Sequence, residues 1–532
     1  MTASDWFLTA EERGNAFTVL DRRHRCGEAW TSGNEVRPLV HGASYFADLL
    51  ATVRAMRAGD LLLFTDWRGD PDELLDGEGT EVSRVLAEAA TAGVIVRGLV
   101  WRSHLDRLQF SERENRHLGE EIDAAGGVCL LDMRVRSGGS HHQKFVVLRH
   151  PGRPERDVAY VGGIDLCHSR HDNARHPGDP QAQSMSAIYG LRPPWHDIQV
   201  AIRGPAVGDV ETVFRERWND PAPLSRDRLR RLRDRLQGLD DRDRTLPEQL
   251  PDPAPCGPSV VQLLRTYPAR RHGYPFAPDG ERSVARAMAK VLARARQLIY
   301  LEDQYLWSPE VAAEFCGALR SQPELHLIAV IPQHPDQDGR ISKPPNLIGR
   351  YQALRMLQEA GGDRVAVYGL ENHEGTPVYV HAKVCVVDDT WASVGSDNFN
   401  RRSWSHDSEL SCAVIDEDTD NGHASFRSAA TPTTSYACQL RLTLAREHLD
   451  RADGDDADLR DPRATFDAFA ATSAALERWY TSGRLTPRPV GRLRKYQTPQ
   501  LTALTRAWAT PLYRTVFDPD GRPRAMRRAG CF

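Results

Sequence analysis

Two tripeptides, His142-Gln143-Lys144 and His381-Ala382-Lys383, constrain this 532-residue chain most, because each recurs at the same place in a repeated order of segments. From Asp66, at the end of one apolar run, to His142 is 76 residues; from Gln304, at the end of another, to His381 is 77. Beyond the first pair 20 residues lead to Gly162, and beyond the second 14 lead to Gly395. The excess falls on Pro151-Gly152-Arg153-Pro154-Glu155, a turn-forming stretch that lengthens a hairpin loop. Matched spacing on this scale marks an internal duplication. The chain therefore reads as two homologous βα units, each presenting one His-x-Lys.

Apolar patterning fills in the units. In the first, Phe46, Leu49, Leu50, Val53 and Met56 share a helical face, and Leu61–Trp67, Val94–Trp101, Val128–Met133, Gln143–Leu148 and Val158–Gly163 read as strands. Helices near 81–92 and 111–125 separate the early ones. In the second, strands at Leu298–Tyr305, Leu325–Pro332 and Val365–Leu370 alternate with helices near 282–297, from 309, and over 346–360. Val378–Asp388 then reads as one strand, in which residues two apart share a face, so His381 and Lys383 point the same way. Residues 1–40 look polar and irregular. The arginine-rich Ser225–Leu239 reads as a solvated helix, and Asp416–Ser435 as a polar insertion. The expected organisation is an N-terminal domain over 1–240 (first motif about 136–165), a proline-rich linker over 241–258, a C-terminal domain over 259–490 (second motif about 375–402) and a tail over 491–532.

Lysine usage singles out the two pairs. The chain has five lysines against 64 arginines, and two of the five follow a histidine by two positions. Lysine offers a compact point charge that arginine does not. Each unit adds matching residues: Gly163 and Asp165 in the first, Ser396 and Asn398 in the second, and a carboxylate at the start of a late strand, Asp197 or Glu409. Two imidazoles, two ammonium groups and two carboxylates suit a phosphodiester. Lysines neutralise the non-bridging oxygens, one histidine attacks phosphorus and the other protonates the leaving alkoxide. The carboxylates fix the tautomers of the rings. This chemistry calls for no metal and no cofactor, and the chain shows no carboxylate cluster to hold a metal. His141 reads as a structural neighbour, and Trp67, Trp195, Tyr305 and Trp307 as core.

Whole-chain properties bound the reading. A net charge of −4 and a pI near 6.6 argue against a general nucleic-acid binder. Nine scattered cysteines with no C-x-x-C fit a reducing compartment and argue against a zinc site. Neither a secretory signal nor an apolar run of membrane-spanning length is evident, so the expected location is cytoplasmic.

With its paired H-x-K motifs, Gly-Gly-Ile-Asp at 162–165, Gly-Ser-x-Asn at 395–398 and twofold repeat, the chain resembles the phospholipase D superfamily from about Ala43 to Val414. The phrases Phe64-Thr65-Asp66-Trp67, Trp195-His196-Asp197 and Tyr300–Tyr305 are closer to its phospholipases than to its short nucleases. The resemblance implies an α/β fold: two homologous βα sandwich domains forming a pseudo-twofold pair. It implies a monomeric hydrolase acting on glycerophospholipid at a membrane surface, with His142 as nucleophile, His381 as general acid, and Lys144, Lys383, Asp197, Glu409 and Asp388 completing the catalytic set. Gly163, Asp165, Ser396 and Asn398 would contact substrate. A nuclease on the same fold, or a non-catalytic lipid-binding member, are the alternatives. The family pattern H-x-K-x4-D is complete at His381, Lys383 and Asp388; in the first copy Arg149 stands where the aspartate belongs, with Glu155 or Asp157 as candidate substitutes.

Overall fold

The computed structural model describes residues 2–24, 27–103, 112–225, 227–236, 244–337, 339, 342–417 and 434–532. Most of the polar insertion expected over Asp416–Ser435, the distal part of the helix expected over Ser225–Leu239 and the start of the linker lie outside them.

The first half builds a mixed sheet from β1 (Thr31–Val40), β2 (Leu61–Asp66), β3 (Ile95–Trp101), β4 (Val128–Asp132), β5 (Phe145–Arg149), β6 (Val158–Gly162) and β7 (Ile198–Arg203). Their spatial order is β4-β3-β2-β5-β6-β7-β1, with β2, β3 and β4 parallel and the remaining neighbours antiparallel. The second half uses β8 (Ser259–Tyr267), β9 (Leu298–Glu302), β10 (His326–Val330), β11 (Val365–Glu371), β12 (Val384–Val387), β13 (Trp391–Gly395) and β14 (Glu409–Asp416). These run β11-β10-β9-β12-β13-β14-β8, the same pattern of neighbours. Parallel neighbours need crossovers. Helices α1 (Val82–Thr91) and α2 (Glu112–Ala124) supply them in the first half, α3 (Pro309–Ser321) and α4 (Lys343–Gly361) in the second.

Period-two alternation sorts the strand side chains into layers. Leu61 and Leu63 face a central cluster while Leu62 and Phe64 face the first half's helices. Likewise Val384 and Val386 face the centre, and Cys385 and Val387 the second half's helices. The central cluster draws on both halves, so the two sheets share one core. Their β1 and β8 edges also pair, at Thr31↔Val261 and Asn34↔Ser259, with a register shift between.

Three expectations are corrected. Residues 1–40 are not irregular: β1 lies there, and Trp6, Phe7, Leu8 and Trp30 are buried against Val284 and Met288 of the second half. Gln262 on β8 holds this segment by bonding both the N–H and C=O of Leu8 (2.9 and 2.7 Å). The N-terminal segment thus packs with the domain expected to start at 259. The residues after 490 are not a free tail, since Leu493–Lys495 pairs with β11 and Gly521 N–H donates to Ser405 Oγ at 3.0 Å. Finally, neither His-x-Lys lies inside a strand. His381–Lys383 breaks the predicted strand between Pro377–Val380 and β12, and His142–Lys144 precedes β5. Among the described residues no helix is long and apolar enough to cross a membrane.

Candidate functional site

The break in each motif strand is what assembles the site. Leaving its own sheet, each His-x-Lys segment bonds to the other half: His142 N–H donates to Ser408 C=O (2.9 Å) and His381 N–H to His196 C=O (2.7 Å). The residue after each acceptor is the late-strand carboxylate. The pairing is therefore crossed. Glu409 of the second half holds His142, with Nδ1 2.8 Å from Oε2, and Asp197 of the first half holds His381, with Nδ1 2.6 Å from Oδ2. Nδ1–H donation to a carboxylate leaves Nε2 of each ring free of the fold and available for chemistry.

The lysines are anchored by their own motifs. Lys144 Nζ donates to His142 C=O (2.9 Å) and lies 3.6 Å from Asp165; Lys383 Nζ donates to His381 C=O and to Gln304 Oε1 (3.3 Å). Both ammonium groups are buried.

The four residues expected to touch substrate differ. A Cβ on Gly163 would overlap Asp197 Oδ1, so this glycine makes room for the carboxylate. At the matching position Ser396 Oγ donates to Glu409 Oε2 at 2.6 Å, so both act on the carboxylates. Asp165 accepts from the N–H groups of Trp67 and Arg68, at 3.2 Å each. It is tied to the fold. Asn398 is buried, and its side-chain oxygen has no hydrogen-bond partner among the described residues.

Asp388 does not join them. Its carboxylate accepts from the N–H groups of Arg296, Gln297 and Leu298 (2.7, 2.8 and 2.9 Å), closing the entry to β9. Arg149 occupies the equivalent register opposite Leu61 and is buried between Asp157 (3.0 Å) and Glu211 (3.1 Å). Asp157 thus pairs with Arg149 itself.

Aromatic rings back both histidines. Trp67 stacks on Trp101 and meets His142 edge-on at 6.1 Å between centroids; Trp195 lies 5.0 Å from His381. The buried Arg170 guanidinium stacks 4.1 Å over Trp195 and stands 3.6 Å from Asp165, a site residue that sequence reasoning missed. One arginine among 64 carries no signal. Gln143, between His142 and Lys144, was also missed; it donates to Glu409 C=O at 3.0 Å. His141 bonds Gln143 at 3.1 Å.

Geometrically the two pairs match; electrostatically they do not. Burial, Lys144 and Lys383 hold His142 well below the usual imidazole range, and burial and Lys383 do the same to His381. Burial pushes Lys383 down to about 8, with Lys144 adding repulsion and Asp197 opposing it. Burial favours a neutral Asp197, but His381 and Lys383 outweigh it and hold the carboxyl well below its ordinary range. Glu409 goes the other way, pushed up to about 8 by burial and by the nearby Asp407 carboxylate. Glu409 Oε2 faces both His142 Nδ1 and Ser396 Oγ, while Oε1 has no partner among the described residues.

Comparison with known proteins places this arrangement. A phospholipase D family model matches residues 76–241, and one described as cardiolipin synthase, phospholipase D-like domain, matches 289–428; together they cover more than half of the chain. Phospholipase D alpha 1 of Cynara cardunculus is 25% identical over 72% of this chain and 60% of its own length. That of Zea mays is 24% identical over 74% and 62%. The chain thus spans about three-fifths of the length of these relatives. Among solved structures, a phosphatidylserine synthase from Haemophilus influenzae shares the fold at a TM-score of 0.50 and 14% identity, over 73% of this chain and 84% of that one. With two phospholipase D-type sheets in tandem and a motif from each at their junction, the chain belongs to the phospholipase D superfamily.

Proposed function

We infer that the protein is a phospholipase D-type phosphodiesterase that cleaves the headgroup phosphodiester of glycerophospholipids through a phosphohistidine, at a membrane surface that it meets peripherally. The observation that carries this reading is the crossed pair of carboxylate-held imidazoles with one lysine beside each. A neutral His142, its Nδ1–H on Glu409, attacks phosphorus with the Nε2 lone pair. The bond from phosphorus to the headgroup oxygen breaks, and His381 gives that oxygen its Nε2 proton. Ionised Asp197 stabilises the imidazolium that His381 must be before this transfer. Lys144 and Lys383 take the charge on the non-bridging oxygens. In the second step His381 removes a proton from water or an alcohol, whose oxygen displaces His142 from phosphorus. The unequal environments of Glu409 and Asp197 support this assignment of roles to an otherwise symmetric pair.

The test is headgroup release from phosphatidylcholine or phosphatidylethanolamine vesicles in buffer without added metal, with a primary alcohol as competing acceptor. Phosphatidic acid and phosphatidyl alcohol are the expected products. Full activity in His142→Ala or His381→Ala would overturn the mechanism.

A further inference from the structure

Next to Asp197 in the chain begins a second polar cluster that the proposed reaction does not use. His41 follows β1, His176 lies between β6 and β7, and His196 precedes Asp197. Glu447 comes from helix α5 (Tyr436–His448), in the second half. The three histidines are buried, and one ligand atom from each of the four residues lies within 4.8 Å of the others. His41 and His176 both hold positive φ (70° and 56°), a conformation uncommon for residues other than glycine.

Hydrogen bonds account for only part of this convergence. His41 Nε2 faces Glu447 Oε2 at 2.8 Å and His176 Nε2 faces Oε1 at 3.2 Å. His196 Nδ1 points at the same carboxylate from 3.5 Å, and among the described residues it has no hydrogen-bond partner. Its other nitrogen, Nε2, bonds Glu302 Oε2 at 2.7 Å, and with the ring proton there Nδ1 would offer its lone pair to a cation in the cluster. His176 repeats the arrangement, with Nδ1 3.4 Å from Asp172 and Nε2 turned inward. An imidazole gripped on its outer side by a carboxylate, with its inner nitrogen converging on other donors, is the arrangement of a metal-bound histidine. A cation among the four residues would take the place of the protons that these rings otherwise share with Glu447. The neighbouring Glu302 contrasts with this: His196, His448 (2.7 Å) and the Tyr300 hydroxyl (2.5 Å) satisfy it by hydrogen bonds.

We propose that His41, His176, His196 and Glu447 form a structural zinc site. Three imidazoles and one carboxylate match the nitrogen and oxygen ligands and the fourfold coordination of zinc, whereas calcium and magnesium require oxygen donors. Four protein ligands leave no open position, so the ion holds structure and does not bind substrate. Three ligands come from the first half and one from the second. The ion would clamp α5 to the strand whose next residue, Asp197, holds His381. The proposal stands independently of the reaction assigned to the site.

Full-length protein dialysed against zinc and then against metal-free buffer should retain about one zinc per chain. Cobalt in its place should give the visible absorption bands of a four-coordinate site. Crystals should show an anomalous peak at the zinc edge among the four residues. His176→Ala should lose the ion, and the His142→Ala/His381→Ala double variant should keep it. Folded wild-type protein that retains less than a tenth of an equivalent overturns the proposal. So does an anomalous peak confined to the catalytic histidines, a result that needs no variant to fold.

Discussion

At the scale of single residues, the carboxylates set the limits of the site. Gly163 leaves room for Asp197, so Gly163→Ala should push that carboxylate off His381. A displacement near 1 Å lowers turnover by about 10²-fold, and kcat for headgroup release should fall by that much while the circular dichroism spectrum stays unchanged. Glu409 has the opposite electrostatics and a stability consequence. Its folded pKa, about 8, lies above the ordinary value of 4.5. Its favourable contribution is therefore complete below pH 4.5 and is lost as pH rises through about 8. Glu409→Gln, which cannot ionise, should match the parent near pH 4.5 and exceed it by about 3–5 kcal/mol at pH 9 in urea unfolding, at the expense of activity. Lys383 should set an alkaline pH limit on turnover. With its pKa pushed down to about 8, it discharges above that pH, and kcat/KM should show an alkaline limb there.

Individual elements explain what the sequence revealed and what it hid. Strands β2, β6, β9 and β10 were legible because both faces of each are buried, which makes them mostly apolar runs. The seam strands were not. β1 carries Gly33, Asn34 and Pro38 along a half-exposed edge, and β8 interrupts its apolar run with Gln262 and Arg265, whose partners Leu8, Glu216 and Glu281 are distant in sequence. The His-x-Lys pairs were found by spacing, whereas the crossing of carboxylates between halves was not, since the strand break that causes it is a tertiary contact. The histidine–glutamate cluster was hidden for a similar reason, its members standing at 41, 176, 196 and 447. Asp388 completes the second motif in the sequence, and its carboxylate accepts three backbone N–H groups at the entry to β9. Asp388→Ala should strip acceptors from three N–H groups and lower stability by about 1–3 kcal/mol, with kcat within twofold of the parent. Arg149→Asp, which completes the first motif in letters, would bring a third carboxylate between Asp157 and Glu211. It should cost about 3–5 kcal/mol and raise no activity.

For the whole molecule, duplication has produced one interdependent site. Each half holds a histidine that it does not orient and a carboxylate that orients the other half's histidine. The seam between β1 and β8, the shared core and the N-terminal segment packed on the second half hold these partners in register. Energetic coupling should therefore follow the crossed pairs and not the boundaries of the repeat. Asp197→Asn and His381→Ala should each lower kcat/KM by about 10²–10⁴-fold, and the double variant should be little worse than the poorer single. Asp197→Asn combined with Glu409→Gln removes support from both rings, so those losses should compound. The reverse pattern, with Asp197 coupled to His142 inside its own half, would show that the crossed geometry does not govern turnover. Kinetics of these three single and two double variants decide between the two wirings, because residues acting as one unit are strongly non-additive whereas independent ones multiply.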